Sequence, residues 1–260
     1  MSEHSQTCTC AQEIANSFSK YAQHNQEMVL YQTSLMSALI DGIYEGDVTI
    51  RQLLEHGDFC LGTFNQLDGE LIAFDSNVHH LKEDGTAHVA DPDQKTPFAC
   101  MTFFKPTVTL DFDCPTTKEQ IEDAVDRCVG SENLFCAVRI DGEFDVVRTR
   151  TAPRQEPPYA PMLEAIKHQP IFEFHQSTGV MVGFRCPEYA QGINIAGYHI
   201  HFINSERTGG GHVIDYRLKS GRLQMGIVKK LIVDIPQTES FKKAHLTPED
   251  LDTSIRKAES

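Results

Sequence analysis

The chain has 260 residues, of which 40% are apolar and 23% are charged, as in an ordinary globular protein with a sizeable core. Its formal net charge of −14 argues against a nucleic-acid partner, because polyanion binding needs clustered lysine and arginine. No stretch reaches the ~20 apolar residues that cross a bilayer, so we expect no membrane partner. The N-terminal sequence MSEHSQ lacks the basic start and apolar core of a signal peptide, so we expect a cytoplasmic location.

Residues 1–24 form a polar leader that contains Cys8 and Cys10, a pair to which the sequence assigns no role. Most of the other cysteines lie in apolar runs, which predicts buried free thiols in a reducing compartment. Residues 28–43 predict an extended segment followed by an amphipathic helix. Thr49 can cap a short helix that stops at Gly57.

Strand signals then follow closely, and the turn dipeptides Asp68-Gly69 and Asp84-Gly85 punctuate them as in an antiparallel meander. Thr116, three residues before Glu119, predicts a capping box for a helix that runs to about Val129. In the first half of the chain the predicted strands are residues 59–64, 70–74, 77–81, 86–90, 99–104, 107–112, 134–140 and 144–150.

Four prolines within residues 153–161 predict an irregular crossing, and we place a subdomain boundary there. A short helix over 162–168 follows, and a final helix begins at Pro248 and runs to about Ala258. The strands predicted between these helices are residues 171–175, 179–185, 198–203, 212–218 and 223–235. We therefore expect an α+β fold with largely antiparallel or mixed β-sheets in two subdomains, residues 25–155 and 156–260, and a few short helices.

Three histidines form the most informative pattern. His199 and His201 point to the same face of a predicted strand, about 6.6 Å apart along it. The glycine triplet at 209–211 predicts a tight reversal that brings His212 back opposite the pair. Three imidazoles from two adjacent strands suit a catalytic zinc ion, which keeps a further coordination position open. Imidazole also suits iron, nickel and manganese, so the pattern alone leaves the metal open.

Two other interpretations of these histidines remain. A cupin-like metal oxygenase or isomerase would add a glutamate ligand, and the nearest candidate, Glu206, lies in the predicted turn. A zinc-stabilised binding module would need a fourth protein ligand, often a thiolate, and Cys186 is the nearest cysteine. The sequence contains neither a phosphate-cradling loop nor a serine nucleophile elbow.

Two further positions carry candidate chemistry. Arg148 and Arg150 share one face at the end of a predicted strand, where a guanidinium can hold a carboxylate bidentately. Glu70 follows the Asp68-Gly69 turn at the head of an apolar strand, where a carboxylate can be held close to a site. Exposed arginines and a solvated glutamate are the alternatives to these interpretations.

Taken together, these motifs resemble the α-acetolactate decarboxylase family over nearly the whole chain from Tyr31 onward. The segments that carry the resemblance are SLMSAL at 34–39, GIYEGD at 42–47, GTFNQLDGE at 62–70, TPFA at 96–99, RTR at 148–150, PRQ at 153–155, PY at 158–159, GYHIHF at 197–202 and GGH at 210–212. The resemblance implies a zinc enzyme that converts (S)-2-acetolactate to (R)-acetoin and CO₂, and a homodimer whose N-terminal sheets, within residues 25–155, join across the interface.

Seven positions match functional residues of that family. They are the metal ligands His199, His201 and His212, the catalytic groups Glu70, Arg150 and Glu259, and the pocket residue Thr63. On this resemblance the metal chelates the ketone and hydroxyl oxygens of the substrate and stabilises the enediolate left by CO₂ loss. Arg150 orients the carboxylate or stabilises the oxyanion, and one of the two glutamates protonates a single face.

Overall fold

The structure, a computed structural model, describes residues 27–259, and a twelve-stranded sheet dominates it. The described residues form fourteen strands, of which twelve belong to this sheet, while β2 and β7 pair with each other. The strands are β1 (Met28–Thr33), β2 (Val48–Thr49), β3 (Phe59–Thr63), β4 (Glu70–Phe74), β5 (Asn77–Leu81), β6 (Ala87–Val89), β7 (Lys95–Thr96), β8 (Phe98–Thr102), β9 (Val108–Phe112), β10 (Thr116–Thr117), β11 (Phe135–Arg150), β12 (Ile171–Cys186), β13 (Gly197–Asn204) and β14 (Gly210–Asp234).

Short helices cover parts of the sheet, and the predicted α+β character is confirmed. The described α-helices are α1 (Met36–Ile40), α2 (Ile50–Leu53), α3 (Lys118–Val129), α4 (Met162–Ala165), α5 (Glu239–Lys243) and α6 (Leu251–Glu259). The predicted capping box of α3 was wrong by one residue, since Thr117 and Gln120 form it. Thr116 lies one residue before the cap, in β10 opposite Leu218, and its hydroxyl donates to the carbonyl oxygen of Cys114.

Four strands close into a ring. β11 pairs with both β12 and β14 in antiparallel register, β12 pairs with β13, and β13 pairs with β14. The far end of the 25-residue strand β14 then pairs in parallel with β1, which continues through β8 into the meander β3-β4-β5-β6. Strands from both predicted subdomains therefore lie in one hydrogen-bonded sheet, and the division at residues 153–161 stays a prediction.

Three pairs of predicted strands are continuous in the structure. The segments expected at 134–140 and 144–150 join as β11, which begins at Phe135, and those expected at 212–218 and 223–235 join as β14, which ends at Asp234. Residues 171–186 are likewise one strand. Gly142, between the two segments predicted for β11, lies against the neighbouring strand β14, where a Cβ on it would lie 2.7 Å from the carbonyl oxygen of Ser220. In the β11–β14 ladder, bulges beside Phe144 bend the strands without ending them.

The cysteines behave largely as predicted. Five are buried free thiols, namely Cys60, Cys100, Cys128, Cys136 and Cys186. Cys114 is exposed, and Cys8 and Cys10 lie outside the described residues, as does the predicted leader. Between residues 27 and 259 no helix combines the length and the apolar character that crossing a membrane requires.

Candidate active site

β13 and β14 bring the three histidines together. His201 pairs directly with His212 in antiparallel register, and His199 precedes His201 by two residues on the same strand. The Nε2 atoms of His199 and His201 are 3.1 Å apart, and one ring nitrogen from each of the three lies within 4.8 Å of the others. All three residues are buried. The predicted convergence of the imidazoles is confirmed.

The reversal that precedes His212 differs from the predicted one. The chain turns at residues 205–208, where Arg207 has a φ of 58°, and Gly210 and Gly211 already belong to β14. A Cβ on Gly210 would lie 2.1 Å from the carbonyl oxygen of Phe202 on the facing strand. Glycine there permits close contact between the two histidine-bearing strands, while the turn itself uses other residues.

Burial keeps the three imidazoles neutral, which is the form that binds metals. Desolvation, with the positive field of Arg150 and the neighbouring rings, lowers the pKa of His199 and His212 well below the usual value. Desolvation also lowers the pKa of His201 to about 4. Nδ1 of His201 donates to the Leu71 carbonyl oxygen over 2.8 Å, so its Nε2 lone pair faces His199.

Two carboxyl groups flank the triad. Glu70 Oε2 lies 3.7 Å from His201 Nε2, while its Oε1 accepts a hydrogen bond from the backbone N–H of Ala152. Glu259 Oε2 lies 3.6 Å from His212 Nδ1 and 3.8 Å from His199 Nε2. Desolvation raises the pKa of Glu70 to about 7 and also raises that of Glu259, against the lowering effect of Arg150. Both carboxyls therefore hold their protons at higher pH than exposed glutamates.

Arg150 ends β11 and pairs across the sheet with His212. Its guanidinium Nη1 donates to Gln169 Oε1 over 3.2 Å, and its Nη2 lies 4.0 Å from Glu259 Oε2. Within residues 27–259 its buried Nε and Nη2 have no hydrogen-bond partner. Arg148 instead pairs with Glu173 and is 42% exposed, so only one of the two predicted arginines reaches the site.

A cavity opens beside these groups, and Thr63 lines it as expected from the resemblance. The Thr63 hydroxyl donates to the Gly69 carbonyl oxygen over 2.6 Å and so holds the turn that leads into Glu70. The apolar wall and Gln169 were missed by the sequence analysis, since no local pattern separates them from ordinary core or loop residues. The main apolar wall residues are Met36, Leu39, Phe98, Met162, Ile166 and Ile195.

The residues present fit a divalent cation. Three neutral nitrogen donors converge, and Glu259 Oε2 is buried without a hydrogen-bond partner in the described chain although two of those nitrogens lie within 4 Å of it. An unpaired buried carboxyl oxygen next to imidazoles fits a site that takes up a cation. Three histidines are the protein ligand set of one class of catalytic zinc sites.

Comparison with known proteins identifies the family. The family model described as alpha-acetolactate decarboxylase matches residues 30–248. A protein named alpha-acetolactate decarboxylase from Klebsiella aerogenes is 52% identical over the full length of both chains. The chain belongs to the alpha-acetolactate decarboxylase family. It is accordingly an enzyme of the carboxy-lyase class.

Further relatives of this decarboxylase family support the assignment. A Raoultella terrigena protein with the same name is 51% identical and covers 99% of each chain. The crystal structure of alpha-acetolactate decarboxylase from Bacillus subtilis strain 168 superposes with a TM-score of 0.88 at 43% identity, and covers 89% of this chain and 99% of its own. The fold and the family expected from the sequence are confirmed.

The other interpretations of the histidines gain no support from the structure. Glu206, the candidate ligand of a cupin-like oxygenase, is exposed in the turn between β13 and β14. The group of potential ligands found within the described residues consists of the three histidines and contains neither Glu206 nor Cys186. Membership of a decarboxylase family favours the remaining interpretation.

Proposed function

We propose that this decarboxylase uses a zinc ion bound by His199, His201 and His212 to convert (S)-2-acetolactate to (R)-acetoin and CO₂. The observation that carries the proposal is the arrangement of the polar groups around one cavity. His199 and His212 line it with two largely buried carboxyls and a guanidinium edge that has no hydrogen-bond partner in the described chain, and His201 completes the histidine cluster with its Nε2 3.1 Å from that of His199. The chemistry that zinc supplies when bound is Lewis-acid polarisation of the ketone and hydroxyl oxygens of the substrate.

Arg150 binds and orients the substrate carboxylate. Its Nε and Nη2 are buried and without a partner in the described chain, and a carboxylate can accept two hydrogen bonds from such an edge. Holding the carboxylate fixes the angle between the breaking carbon–carbon bond and the ketone, so that the departing electrons can delocalise onto the ketone oxygen. The binding of an anion also satisfies the buried guanidinium.

Glu70 and Glu259 handle the proton. Loss of CO₂ leaves an electron pair that must be protonated on one face to give a single enantiomer of acetoin. Glu70, whose pKa is raised to about 7 by burial, carries a proton for much of the time at neutral pH. Glu259 is also buried with a raised pKa but lies beside His199 and His212. We assign proton delivery to this pair, with the two variants below separating their roles.

The direct test combines elemental analysis with product analysis. The metal content of the purified protein is measured first. The enzyme is then loaded with zinc and incubated with racemic acetolactate, and acetoin is measured by chiral gas chromatography. We expect about one zinc per chain and (R)-acetoin well above the spontaneous rate. Glu70→Gln and Glu259→Gln are then compared, and the variant that loses enantiomeric purity identifies the proton donor. A metal-free protein, or acetoin formation no faster than the spontaneous rate, would reject the proposal.

We further propose a cytoplasmic homodimer that binds neither nucleic acid nor membranes. β6 is the last strand of the sheet, and Val89 on it is 81% exposed, so the N-terminal part of the chain offers a strand edge to a second copy. Light scattering should give twice the chain mass of 29.2 kDa. A mass equal to that of one chain would contradict the dimer.

The division into subdomains 25–155 and 156–260 remains part of this proposal and predicts protease cleavage within 153–161.

A further inference from the structure

Gln169 lies on the short connection between α4 and β12, beside the end of β11. Its backbone N–H donates to the Ile166 carbonyl oxygen over 3.1 Å, which ties it to the end of α4. The next residue, Pro170, accepts a hydrogen bond from the backbone N–H of Thr151, the residue after Arg150. The connection is therefore fixed to the strand end that carries Arg150, and Gln169 itself lines the cavity.

The side chain of Gln169 contacts one edge of the Arg150 guanidinium. Its Oε1 accepts from Nη1 over 3.2 Å, while Nε and Nη2 are left without a partner in the described residues. A planar guanidinium held at one nitrogen has its orientation restricted. Because Arg150 is buried in a tight site, this single contact decides which nitrogens remain available for a ligand.

The chemistry of an amide matters at this position. An amide oxygen accepts a hydrogen bond without carrying a charge, so Arg150 keeps its full positive charge for an incoming anion. A carboxylate at the same place would form an ion pair with Arg150 and compete with the substrate. A residue without an acceptor would leave the guanidinium free to turn toward Glu259, whose Oε2 lies 4.0 Å from Nη2.

We propose that Gln169 is a positioning residue for substrate binding, which holds Arg150 so that Nε and Nη2 face the substrate carboxylate. This inference rests on the proposed function, since it assumes that Arg150 binds that carboxylate. Gln169 then acts on KM, because it governs how the anion is held, and on kcat through the angle at which Arg150 holds the carboxylate, while it does not touch the reacting carbon.

The test uses two non-reactive ligands and three variants. One ligand is 2,3-dihydroxy-2-methylbutanoate, the reduced form of the substrate, and the other is butane-2,3-diol, which has the same diol without the carboxylate. Both are titrated by calorimetry into zinc-loaded wild type, Gln169→Leu and Gln169→Glu. Gln237→Leu, the same change at an exposed glutamine on the segment after β14, is the matched control. Zinc content and the kinetic constants are measured alongside.

We expect Gln169→Leu to weaken binding of the carboxylate ligand and to raise KM by about tenfold, the effect of losing one hydrogen bond to a charged group. Gln169→Glu should weaken binding of the carboxylate ligand and raise KM further. In both variants the affinity for the diol and the zinc content should change by less than about threefold. Affinity for the carboxylate ligand that stays within twofold of wild type would overturn the inference. An equal loss for both ligands would overturn it too, as general damage to the cavity.

Failure of the proposed function would look different. Wild type would then form acetoin no faster than the spontaneous rate, yet the two titrations would still report whether Gln169 governs carboxylate binding.

Discussion

The proposed catalytic groups of this enzyme lie on two kinds of structural element, long paired strands and one short helix. The histidines and Arg150 lie on the long strands β11, β13 and β14, where neighbouring ladders fix every residue. Glu259 ends the last described helix, α6, which packs against α1 and α4 through buried Ile255 and Ala258. The strand-borne groups are held by many backbone hydrogen bonds, whereas Glu259 depends on the packing of one short helix. Changes in the two regions should therefore separate metal binding from turnover.

The largest effect is expected from His199→Ala on β13. Removing one of three ligands should release the metal and lower activity by about a thousandfold or more, since metal-assisted chemistry contributes several kcal/mol. Zinc content and the acetoin assay measure both consequences. His79→Ala, a buried histidine on β5 outside the ligand group, is the control and should retain the metal. Equal zinc content in the His199 variant and wild type would show that this ring is no ligand.

Arg150→Ala should slow the reaction by about 10²–10³-fold, the usual cost of losing one preorganised donor. The metal should remain bound, because the three imidazoles reach their positions through β13 and β14. Arg148→Ala, two residues earlier on the same strand and paired with Glu173, should keep activity within about twofold. Near-full activity of Arg150→Ala would remove the carboxylate-binding role.

A substitution that creates a cavity beneath α6 should affect turnover more than metal binding. Ile255 is fully buried, so Ile255→Ala should lower the free energy of unfolding by about 2–5 kcal/mol. The position of Glu259 at the end of α6 should then be less well fixed. We expect kcat to fall about tenfold while zinc content is unchanged, as remote misplacement of a catalytic group costs up to about 10²-fold. Ile232→Ala, at a 47% exposed position on β14, is the matched control. Loss of zinc from Ile255→Ala would show that the two regions are not separable.

The smallest effect concerns acid stability. Burial, aided by Arg207, lowers the pKa of His79 below its ordinary value of 6.5, so this ring is neutral in the folded chain and protonated on unfolding in acid. Its contribution to stability is complete above pH ~6.5 and is lost as the pH falls toward the folded-state value. We measure the free energy of unfolding in urea for metal-free wild type and His79→Gln at pH 7.5, 6.5 and 5.5. This free energy should fall less steeply with decreasing pH in the variant, and the two slopes should differ by less than about 1.4 kcal/mol per pH unit. An equal dependence of the free energy of unfolding on pH in the two proteins would contradict the lowered pKa of His79.

The difference between the strands and the helix also explains which site residues could be predicted from the sequence. The alternation of His199 and His201 with apolar residues predicts their shared face directly, because side chains alternate on any strand. His212 was placed correctly although the predicted turn was wrong, since an antiparallel return suffices to bring it opposite His201. The local pattern marked this trio without any knowledge of the rest of the fold.

The remaining groups needed tertiary contacts. Nothing near Glu259 marks it as buried, because its position depends on Ile255 packing against α1 and α4. Gln169 reaches Arg150 only because the connection after α4 returns to the end of β11. The continuity of β11 across Gly142 likewise depends on the close partner strand β14, which local composition does not indicate. Such contacts bring together residues that are distant along the chain.

Anomalous diffraction at the zinc absorption edge, from crystals of the purified enzyme, tests the central claim most directly. We predict one strong peak per chain, about 2.0–2.1 Å from one ring nitrogen of each of His199, His201 and His212. A map with no peak among the three rings, or a peak bound elsewhere in the chain, would contradict the account.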